Sequence, residues 1–164
     1  MTKTTKNLIK AFAGESQANR RYTAFAKKAE EEGYKQVAKL FRAAAEAETV
    51  HALNHLKELK EVKSTKENLE SAINGESYEF KKMYPKMIKD AKSENQNNAL
   101  RSFNYANEVE KIHAELFRKA AQNLGKNPDV EYHVCQICGN TVENEPPDKC
   151  PICGASKKMF KKID

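Results

Sequence analysis

Residues 47–52 run Ala47-Glu48-Thr49-Val50-His51-Ala52, and residues 109–114 run Val109-Glu110-Lys111-Ile112-His113-Ala114. In both, a glutamate precedes a histidine by three positions, which on an α-helix is one turn and one face. The two stretches lie 62 residues apart, and a second pair keeps nearly that offset: Gly14-Glu15-Ser16 returns as Gly75-Glu76-Ser77, 61 residues on. Each match falls at the corresponding place in its helical pattern. Residues 1–127 therefore read as a helical hairpin followed by a copy of itself.

Apolar residues recur with helical period in four stretches. The first runs from about Lys6 to Glu32 and breaks at Gly33, and the second from about Lys35 to Lys63. Ser64-Thr65-Lys66-Glu67 is a capping box that opens the third. That third stretch carries Gly75 and Pro85, so a kink or break is expected at one of them. The fourth runs from about Asn97 to Leu124, with Gly125 as its stop. Four long helices with short joints predict an all-α four-helix bundle. Composition changes at Gly125-Lys126-Asn127-Pro128: residues 1–127 hold one proline and four glycines, and residues 128–164 hold four prolines and all four cysteines. The chain is thus expected to divide into a helical domain, 1–127, and a small module, 128–164, too short to bury a core without a staple.

The inward stripe of each helix is apolar at both ends and acidic in the middle. The middle level holds Glu15, Glu48 with His51, Glu76 with Glu79, and Glu110 with His113, and no Lys or Arg falls there. Burying an ionised carboxylate costs several kcal/mol even after relaxation, so five together call for a metal as counter-charge. Two divalent ions would bring +4 against −5. One Glu from each of two helices, with Glu-x-x-His from each of the other two, is the ligand pattern of ferritin-like di-iron proteins. Mixed carboxylate and imidazole donors suit iron or manganese over zinc or copper. His55 lies one turn beyond His51 and reads as a packed or supporting histidine rather than a ligand. Tyr22 and Tyr84, seven and eight residues beyond Glu15 and Glu76, read as core residues with a hydroxyl near the site.

The last residues hold Cys135-Gln136-Ile137-Cys138-Gly139 and Cys150-Pro151-Ile152-Cys153-Gly154. Paired Cys-x-x-Cys loops wrap one tetrahedral ion with four thiolates. A glycine after each pair leaves room for backbone N–H groups to approach the sulfurs and tune them. Spacing alone does not separate zinc from iron. The remaining composition is unremarkable for a solvated protein: 32% charged, 39% apolar, formal net charge +6. The lysines are spread among glutamates, which argues against a nucleic-acid surface. No apolar run is long enough to span a membrane, and the charged N-terminus has no signal-like core, so a cytoplasmic protein is expected.

With these motifs in place, the whole chain resembles the rubrerythrin family, a ferritin-like bundle followed by a rubredoxin-like β-knuckle. The extra Glu79 and the positions of Tyr22 and Tyr84 also match that pattern. The resemblance implies a non-haem di-iron peroxidase that reduces hydrogen peroxide to water and protects against oxidative stress. It implies two Fe in the helical site, one Fe on Cys135, Cys138, Cys150 and Cys153, and exchange of His51 and Glu79 as ligands of one iron. Electrons would come from NAD(P)H through a rubredoxin reductase, or from rubredoxin. A ferritin-like iron oxidase is the alternative, and a zinc-ribbon binding module a weaker one.

Two expectations concern assembly. Fifteen helical residues separate Glu110 from Gly125, about 22 Å, so the chain's own cluster is expected to be remote from its own site, with a head-to-tail homodimer bringing the partner's cluster close. The stretch between Glu48 and Glu76 is also short for a link between parallel second and third helices. A domain-swapped homodimer resolves this, as does a different helix order.

Overall fold

The computed structural model describes all 164 residues, which form two compact units, Met1–Lys63 and Ser64–Asp164.

The first unit is a hairpin of two long helices, α1 (Lys3–Glu31) and α2 (Lys35–Glu58). The Thr2 hydroxyl caps α1 by accepting the Thr5 N–H at 3.1 Å. Gly33 turns the chain at φ 83°, a conformation open to glycine at little cost. Alanines line the contact between the helices: Ala26, Ala29, Ala38, Ala45 and Ala52 are all buried. The Asn19 amide bridges the pair, donating to the Ala45 carbonyl at 2.7 Å and to Thr49 Oγ1 at 2.8 Å. The helix expected to reach Lys63 ends at Glu58, because Lys60 adopts φ 57° and the Glu61 N–H returns to the Leu56 carbonyl. Beyond Leu59 the only apolar side chain is Val62, which is exposed, so no burial holds a further turn.

The second unit begins at the capping box. Ser64 Oγ accepts the Glu67 N–H at 3.3 Å and the Glu67 carboxylate accepts the Ser64 N–H at 3.2 Å. Helix α3 (Thr65–Tyr78) continues through a π-helical turn, Glu79–Met83, into α4 (Tyr84–Ser93). The irregularity expected at Gly75 or Pro85 is this turn, and Gly75 sits in ordinary α-helix. Its cause is local: Pro85 has no N–H to give the Lys81 carbonyl. The preceding N–H, on Tyr84, reaches five residues back to the Glu79 carbonyl. The helix is thereby rephased without breaking. Helix α5 (Asn97–Gln122) follows, with Gly125 at φ 86° just beyond its end.

The chain closes in a three-stranded antiparallel sheet of order β2-β1-β3, with β1 Tyr132–Cys135, β2 Thr141–Glu143 and β3 Phe160–Ile163. Its register pairs Val134 with Thr141 and Cys135 with Phe160. Lys119 of α5 forms an ion pair with Glu143 of β2, and the Asn127 amide donates to the Ala120 carbonyl at 3.0 Å. These contacts seat the sheet against α5, so the change of composition near Pro128 falls inside the second compact unit. No helix is long and apolar enough to cross a membrane.

Candidate metal centres

Each unit carries one three-residue group of donors. In the first, Glu15 of α1 meets Glu48 and His51 of α2, with one donor atom from each within 4.8 Å of the others. His51 Nδ1 lies 2.9 Å from Glu48 Oε2. That hydrogen bond, helped by one involving Glu15, holds the Glu48 carboxyl below its ordinary range against the opposing effect of burial. In the second, Glu76 of α3 meets Glu110 and His113 of α5 within the same limit, and His113 Nδ1 is 2.7 Å from Glu110 Oε2. Burial, and then the charges of Glu110 and Glu79, push Glu76 up to about 7, although His113 pulls the other way. His113 is in turn held more basic than usual, chiefly by its bond to Glu110.

Glu79 opens the π turn. It stands outside the Glu76/Glu110/His113 group, yet burial and the charge of Glu110 raise its carboxyl. Tyr84 follows that turn. Burial and the carboxylates of Glu79, Glu110 and Glu76 raise its hydroxyl, and its ring packs 6.4 Å from that of Phe103. Tyr22 sits in an aromatic cluster with Phe25 and Phe41. His55 is half-buried and belongs to neither donor group.

The second group tests whether a cation fits. Three carboxylates act on one another, and a single histidine is the counter-charge that acts on Glu76. With Glu76 raised to about 7, such a cluster holds a proton there about half of the time at neutral pH. A divalent cation would replace that proton and meet carboxylate and imidazole donors already gathered on one side.

The four thiols are free, and they converge. Cys135 Sγ and Cys153 Sγ are 3.7 Å apart, and Cys138 Sγ and Cys150 Sγ 3.6 Å. The edge of a tetrahedron with metal–sulfur bonds of about 2.3 Å is about 3.8 Å, so the cage has the size of one ion. Gly139 and Gly154 take φ 84° and 75°, which closes both loops, and their N–H groups donate to the Cys135 and Cys150 carbonyls. The backbone N–H groups of Asn140 and Ala155 then reach Cys138 and Cys153. Burial raises the Cys138 thiol well above its usual value. At Cys150 burial acts the same way, but the N–H groups of Cys153 and Ile152 outweigh it and bring the thiol down to about 7. Asn140, fully buried, adds a side-chain N–H to Cys150 Sγ at 3.6 Å.

One placement differs from expectation. The chain does not carry its cysteine cage away from its own donors. It folds back along α5, and Thr141 Oγ1 of β2 lies 3.0 Å from His113 Nε2. Counting residues along α5 to Gly125 cannot reveal this, because the return path depends on the sheet's docking. Neither Thr141 nor Asn140 carries a motif that would have singled it out.

Comparison with known proteins agrees with this arrangement. The Rubrerythrin family model matches residues 6–121, and the model described as "Rubrerythrin, rubredoxin-like domain" matches 133–161. The chain is 38% identical to Rubrerythrin-2 of Clostridium acetobutylicum, over 93% of this chain and 92% of that protein. It is also 38% identical to nigerythrin of Nitratidesulfovibrio vulgaris, over 96% and 85%. A solved structure described as the partially reduced state of nigerythrin superposes with a TM-score of 0.61 at 37% identity, covering 99% of this chain and 88% of that one. Ferritin-like helices that gather Glu/Glu/His donors, joined to a four-thiol knuckle, define a class of metal-binding oxidoreductase, the non-haem iron proteins. Within it, the chain belongs to the rubrerythrin family.

Proposed function

We propose that the protein is a peroxidase that reduces hydrogen peroxide to water at a di-iron site, with electrons delivered through its four-thiolate iron. Residues 1–127 supply the di-iron site and residues 128–164 the electron-transfer knuckle. The observation that carries this reading is the pairing of two Glu/Glu/His groups with a tetrahedral thiol cage in one chain. Glu15, Glu48, His51, Glu76, Glu79, Glu110 and His113 hold the two irons, and Cys135, Cys138, Cys150 and Cys153 hold the third. Bound there, the iron pair supplies two electrons for cleavage of the O–O bond, and two protons complete two waters. The chain's own groups do the rest. Glu48 and Glu110, each beside the histidine one turn on, would hold the irons together with the other carboxylates, and the raised Tyr84 hydroxyl keeps its proton beside Glu79, Glu110 and Glu76. The donor is an NAD(P)H-dependent rubredoxin reductase or rubredoxin, and the working form a cytoplasmic homodimer.

The test is a visible spectrum and metal analysis of freshly purified protein, followed by peroxide titration after anaerobic reduction. The expected result is three irons per chain and a ferric-thiolate spectrum that bleaches on reduction and returns with peroxide. A colourless zinc-loaded knuckle, or reduced protein inert to peroxide, would overturn the reading. Cys150→Ser should allow one turnover of the reduced site and block steady cycling with reductase, and normal steady-state activity in that variant would reject the electron route. Asn140→Val removes an N–H donor that favours the more negative, reduced cage. Its midpoint potential should fall by tens of millivolts, about 0.5–1.5 kcal/mol for one hydrogen bond, as redox titration would show.

A further inference from the structure

We propose that the outer face of α4, with the start of α5, binds the phosphate backbone of duplex nucleic acid without regard to sequence. Taken whole, the chain mixes lysine with glutamate, but residues 81–107 depart from that mixture. They carry Lys81, Lys82, Lys86, Lys89, Lys92 and Arg101 against two acids, Asp90 and Glu94. All six basic residues are exposed. None of the five lysines forms an ion pair, whereas Lys28, Lys111, Lys119, Lys157 and Lys162 each pair with a glutamate. Lys81 lies over the Phe80 ring, 5.4 Å from its centre, which leaves its charge unneutralised. A face of mixed sign cancels its own field, and this one does not.

The charges sit on a fixed support. Lys82, Lys86 and Lys89 stand at i, i+4 and i+7, on one side of the helix. That side lies about half a turn round from Ala91, the residue α4 buries. Tyr84, whose ring packs 6.4 Å from that of Phe103, also fastens α4 to α5. From Lys81 to Lys92 the helix runs about 16 Å. One strand of a duplex presents a phosphate about every 3.4 Å, so about five over that length, which matches the lysines in number. Arg101 and the exposed amides of Asn97, Asn98 and Asn104 on α5 extend the face with side chains of the kind that donate to phosphate oxygens. A protein partner fits less well, because interface centres are rich in aromatic residues and arginine and poor in lysine. A membrane fits less well too, because the apolar side of α4 is spent on α5 and little is left to insert. The cysteine sheet joins the other half of α5, near Lys119.

The experiment uses full-length, iron-loaded protein and a fluorescent duplex DNA of about 20 base pairs, followed by anisotropy. Affinity should fall about 100-fold or more between about 50 and about 200 mM salt, since each phosphate neutralised adds about −0.9 to the slope of log affinity against log salt. Two duplexes of unrelated sequence should compete equally. Lys82→Gln, Lys86→Gln and Lys89→Gln combined in one protein should make that slope shallower by about 3 and weaken binding at least 10-fold at the lower salt. Lys157→Gln with Lys162→Gln, on the cysteine sheet, should leave both unchanged. The triple variant should keep the helical circular dichroism, the ferric-thiolate spectrum and the peroxide turnover of the unaltered protein, so a loss of DNA binding is separated from a loss of fold or of the peroxidase reading. No binding at about 50 mM salt would overturn the proposal, and so would a triple variant with the slope unchanged. Binding to phosphatidylserine vesicles without binding to the duplex would reject it in favour of a membrane surface.

Discussion

Glu110→Ala protein is expected to lose the helical-site metal and all peroxide turnover while keeping the visible spectrum of the thiolate iron. Glu110 is the residue on which the second group depends most. It hydrogen-bonds His113 and helps to raise Glu76, Glu79, Tyr84 and His113. Alanine removes the carboxylate proposed as a metal donor and its charge together. Glu76 and Glu79 should then fall back toward ordinary carboxylate behaviour, and His113 toward an ordinary imidazole. Glu48→Ala should act alike on the first group, where Glu48 holds His51. Glu115→Ala is the control, since that side chain is exposed on the same helix and pairs only with Arg118. It should leave stability within about 0.5 kcal/mol and activity unchanged. Iron analysis and peroxide consumption of the three variants decide the matter, and retained turnover in Glu110→Ala would refute its role.

How much of this was legible beforehand follows from which forces act locally. The capping box at Ser64 and Glu67 formed as read, because both partners lie within four residues. The Glu-x-x-His spacing placed Glu48 with His51 and Glu110 with His113, because helix geometry alone fixes that distance. Their meeting with Glu15 and Glu76 was read from a repeat and from the cost of buried charge. The cage was plain in its paired Cys-x-x-Cys loops. What escaped depends on competition or on tertiary return. Helical pattern continued past Glu58, but no burial rewarded it, and Lys60 turned the chain. Pro85 promised a kink, yet the helix absorbed it as a π turn that begins on Glu79. Thr141 gained its place only when β2 docked on α5.

A heterodimer of Glu48→Ala and Glu110→Ala chains is expected to recover about half the activity that each homodimer lacks. The argument begins with the link between the units. Helix α2 ends at Glu58, ten residues past Glu48, and α3 starts at Thr65, eleven before Glu76. At 1.5 Å per residue these lie about 15 Å below and about 16 Å above the level of the donors, if the second and third helices run parallel as in ferritin-like bundles. A link within one bundle must climb about 31 Å. Seven residue steps from Glu58 to Thr65 span at most about 25 Å when fully extended, and Lys60, in the left-handed region, shortens them further. In that helix order the link is therefore shorter than the climb it would have to make. Exchange of hairpins between two chains removes the obstacle. Each site then takes Glu15, Glu48 and His51 from one chain, and Glu76, Glu79, Glu110 and His113 from the other. In the mixed dimer one site carries both defects and the other carries none. If each chain instead builds its own site with another helix order, every site carries one defect and the mixed dimer stays inactive. Co-expression with two different tags, tandem purification and a peroxide assay distinguish these results, and an inactive mixed dimer with both chains present would reject the exchange.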